Sequence, residues 1–198
     1  MVKRHQKNSS MASALRLQAA AGVDRLILMT DSARLADPVR SVKRLPPGSI
    51  VILRDYDHDG RLALAKKIHD ACRSADCWFL VAGDADLARQ VGADGLHLPE
   101  YMLSGGQVNR GGFHIITAAC HSRRALRRAY TMGVDLALVS PVFTTASGAE
   151  KTPLGVHGLA RLISGAQIPV AALGGINHRT AKRLRGLKIA AVAAVSVF

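Results

Sequence analysis

The chain has 198 residues, 48% of them hydrophobic, which suits one domain with a real core and excludes two full ones. Its net charge of +13, from 27 Lys+Arg against 14 Asp+Glu, favours phosphorylated ligands or nucleic acid as partners. Aromatic residues make up only 4%, and the arginines are spread along the predicted helices with no dense basic tail, so neither a base-stacking platform nor a nucleic-acid partner is expected.

The chain starts with MVKRHQKNSS, which is basic, and no apolar run behind it or elsewhere approaches a membrane span. A cytoplasmic protein without membrane association is expected. Residues 10–22 read as an Ala-rich helix with Leu15 and Leu17 among alanines, and residues 26–29 as a first strand ending at Thr30-Asp31. After the Pro46-Pro47-Gly48 loop, residues 50–53 form a second strand that ends at Arg54-Asp55. A helix over about 61–75 places Leu62, Ala65, Ile68, His69 and Cys72 on one face. A third strand, 78–81, ends in Gly83-Asp84, and a short helix covers 86–91. A fourth strand spans 95–98, a glycine-rich loop 104–112, and a fifth strand 114–117, ending near Cys120-His121-Ser122. Ser122 caps a helix to Met132, and a sixth strand, 136–139, ends at Ser140-Pro141. A loop over 142–156 precedes a helix near 158–163; the seventh and eighth strands are 170–173 and 189–195. Cys72, Cys77 and Cys120 lack zinc-knuckle spacing and read as small buried residues.

Eight alternations of a short apolar strand with a helix predict an α/β chain folded as a small (β/α)8 TIM barrel, a single domain over 1–198; a doubly wound sheet has the same spacing. The last helix is expected to be missing, since Phe198 follows directly on strand eight. The surface it would have covered calls for the N-terminal helix or for a second chain in a homodimer.

Barrel chemistry sits at the carboxyl ends of the strands. The candidates there are Asp31, Arg54, Asp55, Asp84, His97, His121, Ser140, the 144–147 loop, Gly174-Gly175 and Ser196. Asp31 and Asp55 also suit plain helix capping, and His97 a buried strand position. The stretch IPVAALGGIN, Ile168 to Asn177, reads as a buried strand, a two-glycine turn and a helix capped by Asn177 near Arg179. Glycines admit a ligand close to the backbone and a helix start favours an anion, so Gly174, Gly175, Val195 and Ser196 form a candidate phosphate cradle.

The stretches GADGLHL (92–98), AACHS (118–122), GVDLALVSPVFTTAS (133–147), PVAALGGIN (169–177) and VAAVSVF (192–198) together resemble the thiamine phosphate synthases and their relatives the thiazole tautomerases. The resemblance implies a (β/α)8 barrel and work on a phosphorylated small molecule. Synthases join a pyrimidine pyrophosphate to a thiazole phosphate, with Mg2+ on the pyrophosphate. Of their Gln-x-Arg-x-Lys motif, Ile52, Arg54 and Tyr56 keep only the arginine. Their Asn-Asp pair falls on Ala82 and Gly83, with Asp84 one place late as a metal-ligand candidate, and a second metal aspartate falls on Met102. Their Thr-x-Thr-Lys loop reads Thr145, Ala146, Ser147 and Gly148, with Lys151 nearby. The parts for a thiazole phosphate therefore remain, namely Arg54, Ser140, Thr145, Ser147, Gly174, Gly175, Val195 and Ser196. Those for magnesium pyrophosphate are mostly gone. The tautomerase branch needs a phosphate site and an acid/base group. His121 falls on that group's position, and histidine titrates close to neutral pH. The resemblance therefore points to a tautomerase-like enzyme with no metal, with a true synthase using Mg2+ and an inactive phosphate-ligand-binding regulator as its alternatives.

Overall fold

The computed structural model describes residues 21–104, 106–145 and 152–195. The helix expected over 10–22, apart from Ala21 and Gly22, lies outside them, as do Ser147, Lys151 and Ser196.

Eight parallel strands close into a barrel in sequence order, β1 pairing with β8 through Leu26 opposite Val192. They are β1 Leu26–Met29, β2 Ile50–Leu53, β3 Trp78–Ala82, β4 Gly95–Leu98, β5 Ile115–Cys120, β6 Leu136–Val139, β7 Val170–Leu173 and β8 Ala191–Ala194. The helices between them are α1 Pro38–Val42, α2 Arg61–Ser74, α3 Ala85–Gln90, α4 Arg123–Thr131, α5 Gly155–Ile163 and α6 His178–Ala181, with 3-10 turns at Glu100–Met102 and Lys182–Leu184.

The strands read as unbroken apolar runs because both faces are covered. Ile27, Met29, Ile50, Ile52, Leu80 and Leu138 point inward, together with the small side chains of Ala82, Ala171, Ala191 and Ala193. Their neighbours Leu26, Leu28, Val51, Phe79 and Val81 point outward to the helices. A slip of one residue would exchange the two sets, so the register is fixed by packing. Truncating a fully buried member such as Leu28 to Ala would cost about 3 kcal/mol through lost burial and the cavity left behind.

The helices dock narrow stripes on this layer. In α2, Ala65, Ile68, Ala71 and Cys72 are buried, while Leu62 stays outside and His69 stacks on Phe79 with centroids 5.7 Å apart. In α4 the stripe is Ala125, Leu126 and Ala129, and Ser122 caps the helix by accepting the Ala125 N–H at 3.1 Å. The three cysteines are buried and free, and burial pushes the Cys77 thiol up to about 11 and the Cys120 thiol to about 12. No helix among the described residues is long and apolar enough to cross a membrane.

Candidate active site

Every strand ends in the same direction, so the residues after each strand share one mouth. After β1 and β2 they are knitted together. The Thr30 hydroxyl donates to Asp55 and accepts the Arg54 N–H at 3.1 Å; the Ser32 N–H donates to Asp55 at 2.5 Å. Asp31 takes the Arg34 Nε–H at 2.8 Å and the Arg54 guanidinium as well. Partial burial opposes ionisation of Asp31, but the Arg34 hydrogen bond and the charges of Arg34 and Arg54 outweigh it and lower its pKa. At Asp55 burial is likewise outweighed, here by the bonds from Thr30 and Ser32. Neither carboxylate caps a regular helix; Asp55 ties the loop after β1 to β2. Arg54, a candidate phosphate ligand, stands at the mouth already paired with Asp31.

Below this rim, His97 on β4 and Thr117 on β5 face each other inside the barrel, Nδ1 and Oγ1 2.8 Å apart. Burial, and then the charge of Arg54, hold the His97 pKa down to about 4, so its ring is neutral at pH 7.

After β3, Asp84 is committed elsewhere. One oxygen caps α3 by accepting the Leu87 N–H at 2.9 Å, and the other pairs with Arg61 at 3.3 Å. Arg61 also donates to the Ala82 carbonyl at 2.6 Å and lies 5.4 Å from the Tyr56 ring centroid. Tyr56 covers Gly83 so closely that a Cβ there would lie 3.0 Å from its ring. Magnesium takes hard oxygen ligands. Gly83 and Met102 offer none, and Arg61 already supplies the positive charge beside Asp84. Among the described residues no three His, Cys, Asp or Glu side chains gather to hold a metal ion. Among the described residues, those at these positions do not fit a magnesium ion.

His121 follows β5, as expected. Its backbone N–H donates to the Glu100 carboxylate at 2.5 Å, and its Nδ1 lies 2.6 Å from the Ser140 carbonyl oxygen after β6. A carbonyl only accepts, so Nδ1 carries the hydrogen, and in the neutral ring Nε2 is the nitrogen with the lone pair. Ser140 therefore enters the site through its carbonyl oxygen. Glu100 was not legible from the sequence as a member of the site, because the bond joins backbone to side chain across two loops.

After β7, Gly174 and Gly175 have φ of +95° and +64°. A Cβ on Gly175 would lie 2.4 Å from the Thr144 carbonyl oxygen, and one on Gly174 2.8 Å from Pro141 Cα. The glycines therefore admit the loop after β6, which donates from Val142 to Leu173 at 2.9 Å and from Phe143 to Gly174 at 3.0 Å. Arg183 clamps the same loop, 5.2 Å from the Phe143 ring centroid. The loop after β6 thus meets the glycine turn through Phe143 and Thr144, next to Thr145, and the β7–β8 pairing runs to Leu173 opposite Ala193, two residues before Gly175 and Val195. The N-terminus of α6 is closed by its own cap: Asn177 accepts the N–H groups of Arg179 at 2.9 Å and Thr180 at 3.1 Å. Any anion here would rest on the glycine turn and the adjoining loops rather than on those two amides.

A family model described as thiamine monophosphate synthase matches residues 26–198. A thiamine-phosphate synthase of Synechococcus is 32% identical over 181 residues, covering 87% of this chain and 51% of that protein. A probable thiamine biosynthetic bifunctional enzyme of rice is 30% identical, covering 88% of this chain and 34% of that one. The chain thus spans about half of the first of these relatives and about a third of the second. A putative thiamine-phosphate synthase 2 of Aquifex aeolicus is 32% identical, covering 75% of this chain and 82% of that protein. Among solved structures, thiamine phosphate pyrophosphorylase from Pyrococcus furiosus superposes with a TM-score of 0.67 at 23% identity, over 86% of this chain and 85% of that one, a likeness of fold. With the barrel, the order of its strand ends and these matches in agreement, the chain belongs to the thiamine monophosphate synthase family, whose work is thiamine biosynthesis.

Proposed function

We propose that this chain isomerises a thiazole phosphate by proton transfer through His121, without a metal ion. The observation that carries the reading is the ring of His121, fixed through Nδ1 on the Ser140 carbonyl so that the basic Nε2 is left for the ligand. Nε2 takes one proton from the ligand's ring system and returns one at a second position. The ligand keeps its atoms, a double bond shifts, and the imidazole is regenerated. Its phosphate is assigned to the turn of Gly174 and Gly175, with Thr145 and Val195 as further candidates and Ser147 and Ser196 as candidates outside the described residues; Arg54 offers positive charge from the end of β2. The commitment of Asp84 to Arg61 and Leu87 supports the metal-free form of this reading.

The names of the relatives support a second reading, coupling of a pyrimidine pyrophosphate to a thiazole phosphate. One experiment separates the two. Thiazole phosphate alone, in EDTA, should be turned over under the first reading. Turnover only with pyrimidine pyrophosphate and Mg2+ would establish the second. Binding without either turnover would leave a ligand-binding protein.

A further inference from the structure

The helix α4 opens on charges that a helix N-terminus disfavours. Arg123 and Arg124 open it, at the end where unpaired backbone N–H groups already concentrate positive charge. Arg123 with Arg127 and Arg124 with Arg128 are like-charged pairs four residues apart, and the first turn has no acid to offset them. All four are exposed, and no carboxylate among the described residues pairs with any of them. A local rule broken at the start of the helix, with no compensating carboxylate among the described residues, marks a place kept for something outside the chain.

The same arginines border a groove. Between α4 and the turn from α5 to β7 lies a cleft of about 190 Å³, with Arg123, Arg127 and Tyr130 on one side and Leu162, Ser164 and Gln167 on the other. Arg123 donates to the Arg161 carbonyl oxygen of α5 at 2.6 Å, so its guanidinium is held across the cleft. A planar guanidinium grips phosphate oxygens two at a time. The cleft is smaller than the roughly 300–1,000 Å³ typical of sites that enclose a drug-sized organic ligand. It suits a compact anion gripped from one side and lying against Tyr130.

We propose that this groove, in the helix layer outside the barrel, is a second anion site for a compact phosphate-bearing anion, separate from the mouth, with inorganic pyrophosphate as its probe. Arg127 provides the grip and Arg123 the fixed wall.

The test is calorimetric titration of the full chain with inorganic pyrophosphate, in EDTA and at about 100 mM salt, where long-range attraction to the overall charge is largely screened. Wild type should bind. Arg127→Ala, at an exposed position, should keep the melting temperature and weaken binding by tenfold or more; Arg127→Lys, which keeps the charge and loses the fork, should fall between. Arg73→Ala, an exposed arginine on α2, should change nothing. Absence of binding, an unchanged affinity in Arg127→Ala, or an equal loss in Arg73→Ala would each overturn the proposal. The unchanged affinity would place pyrophosphate at the mouth, and the equal loss would reduce the effect to net charge. None of these outcomes depends on whether the mouth isomerises a thiazole phosphate.

Discussion

His121 and Ser140 are held together across the ends of two neighbouring strands, the imidazole Nδ1 lying 2.6 Å from the serine's carbonyl oxygen. The backbone of one strand thus decides which nitrogen of the other strand's histidine is basic. Removing that imidazole should remove the chemistry and spare the binding. His121→Ala is expected to lower turnover of thiazole phosphate by about a hundredfold or more, the usual contribution of a positioned acid–base group, with affinity nearly intact. Paired rate and binding measurements check this. Full activity in the variant would assign the proton transfer to another group.

The glycine turn gives a prediction about loop placement. Gly175→Ala puts a Cβ 2.4 Å from the Thr144 carbonyl, whereas at Gly133, also at positive φ, a Cβ meets nothing within 4 Å. Gly133→Ala should therefore cost about 1 kcal/mol for its left-handed backbone alone, and Gly175→Ala about 2 kcal/mol more. Gly175→Ala should also weaken ligand binding, because the loop carrying Thr145 must move. Denaturant melts of the two variants, with titration of the ligand, read both effects. Equal stability losses would show that the loop does not depend on the glycine.

His97 should make the fold acid-sensitive before its carboxylates do. Its pKa is held at about 4 in the folded barrel and returns to about 6.5 on unfolding. Between these values the unfolded chain binds the extra proton, so stability falls as pH drops from about 6.5 to 4, by roughly 3 kcal/mol in all. The lowered pKa values of Asp31 and Asp55 act in the same sense further down: their contribution is complete above about pH 4 and is lost as pH falls through the folded values. Thermal melts from pH 7 to 4.5 should slope downward for wild type and lie nearly flat for His97→Gln. A parallel slope in both would assign the acid limb to other groups.

Most of the barrel was readable because a strand buried on both faces is a bare apolar run closed by a turn. β1, β2, β4, β6 and β7 have the bounds expected of them. β5 runs on to Cys120 because Ala118 and Ala119 remain paired with β6 after the strongly apolar residues end. The short helix α1 was not read, although its signal was present: Asp37 caps it, accepting the Arg40 N–H at 2.8 Å, and Pro38 follows the cap. The helix after Asn177 stops at Ala181 and tightens into a 3-10 turn, which side-chain periodicity does not distinguish from continued α-helix. Within the site, the residues at strand ends were legible and their partners were not. The bonds of Glu100 to His121, Thr30 to Asp55, and Asp31 to Arg54 join residues 21 to 25 positions apart, across loops whose paths only the closed barrel sets.

The ion pair of Arg61 with Asp84 predicts how the mouth treats divalent ions. With the carboxylate already paired and capping α3, Mg2+ should not tighten binding of a phosphorylated ligand. Arg61→Ala should free the carboxylate and introduce a measurable Mg2+ dependence, at the cost of the contacts to Ala82 and Tyr56. Titrations with Mg2+ and with EDTA decide it. A strong Mg2+ requirement in wild type would mean that the ligands for the metal come from elsewhere in the mouth.

The central claim is that His121 moves a proton on a ligand held by its phosphate. Its most direct measurement is deuterium uptake by thiazole phosphate in D2O, with EDTA present and no pyrimidine substrate, followed by NMR. Wild-type protein should exchange a ring or ring-adjacent proton at catalytic rates, and His121→Ala should be slower by about a hundredfold. No exchange above the uncatalysed rate with wild type, under conditions where the ligand is bound, would contradict the account.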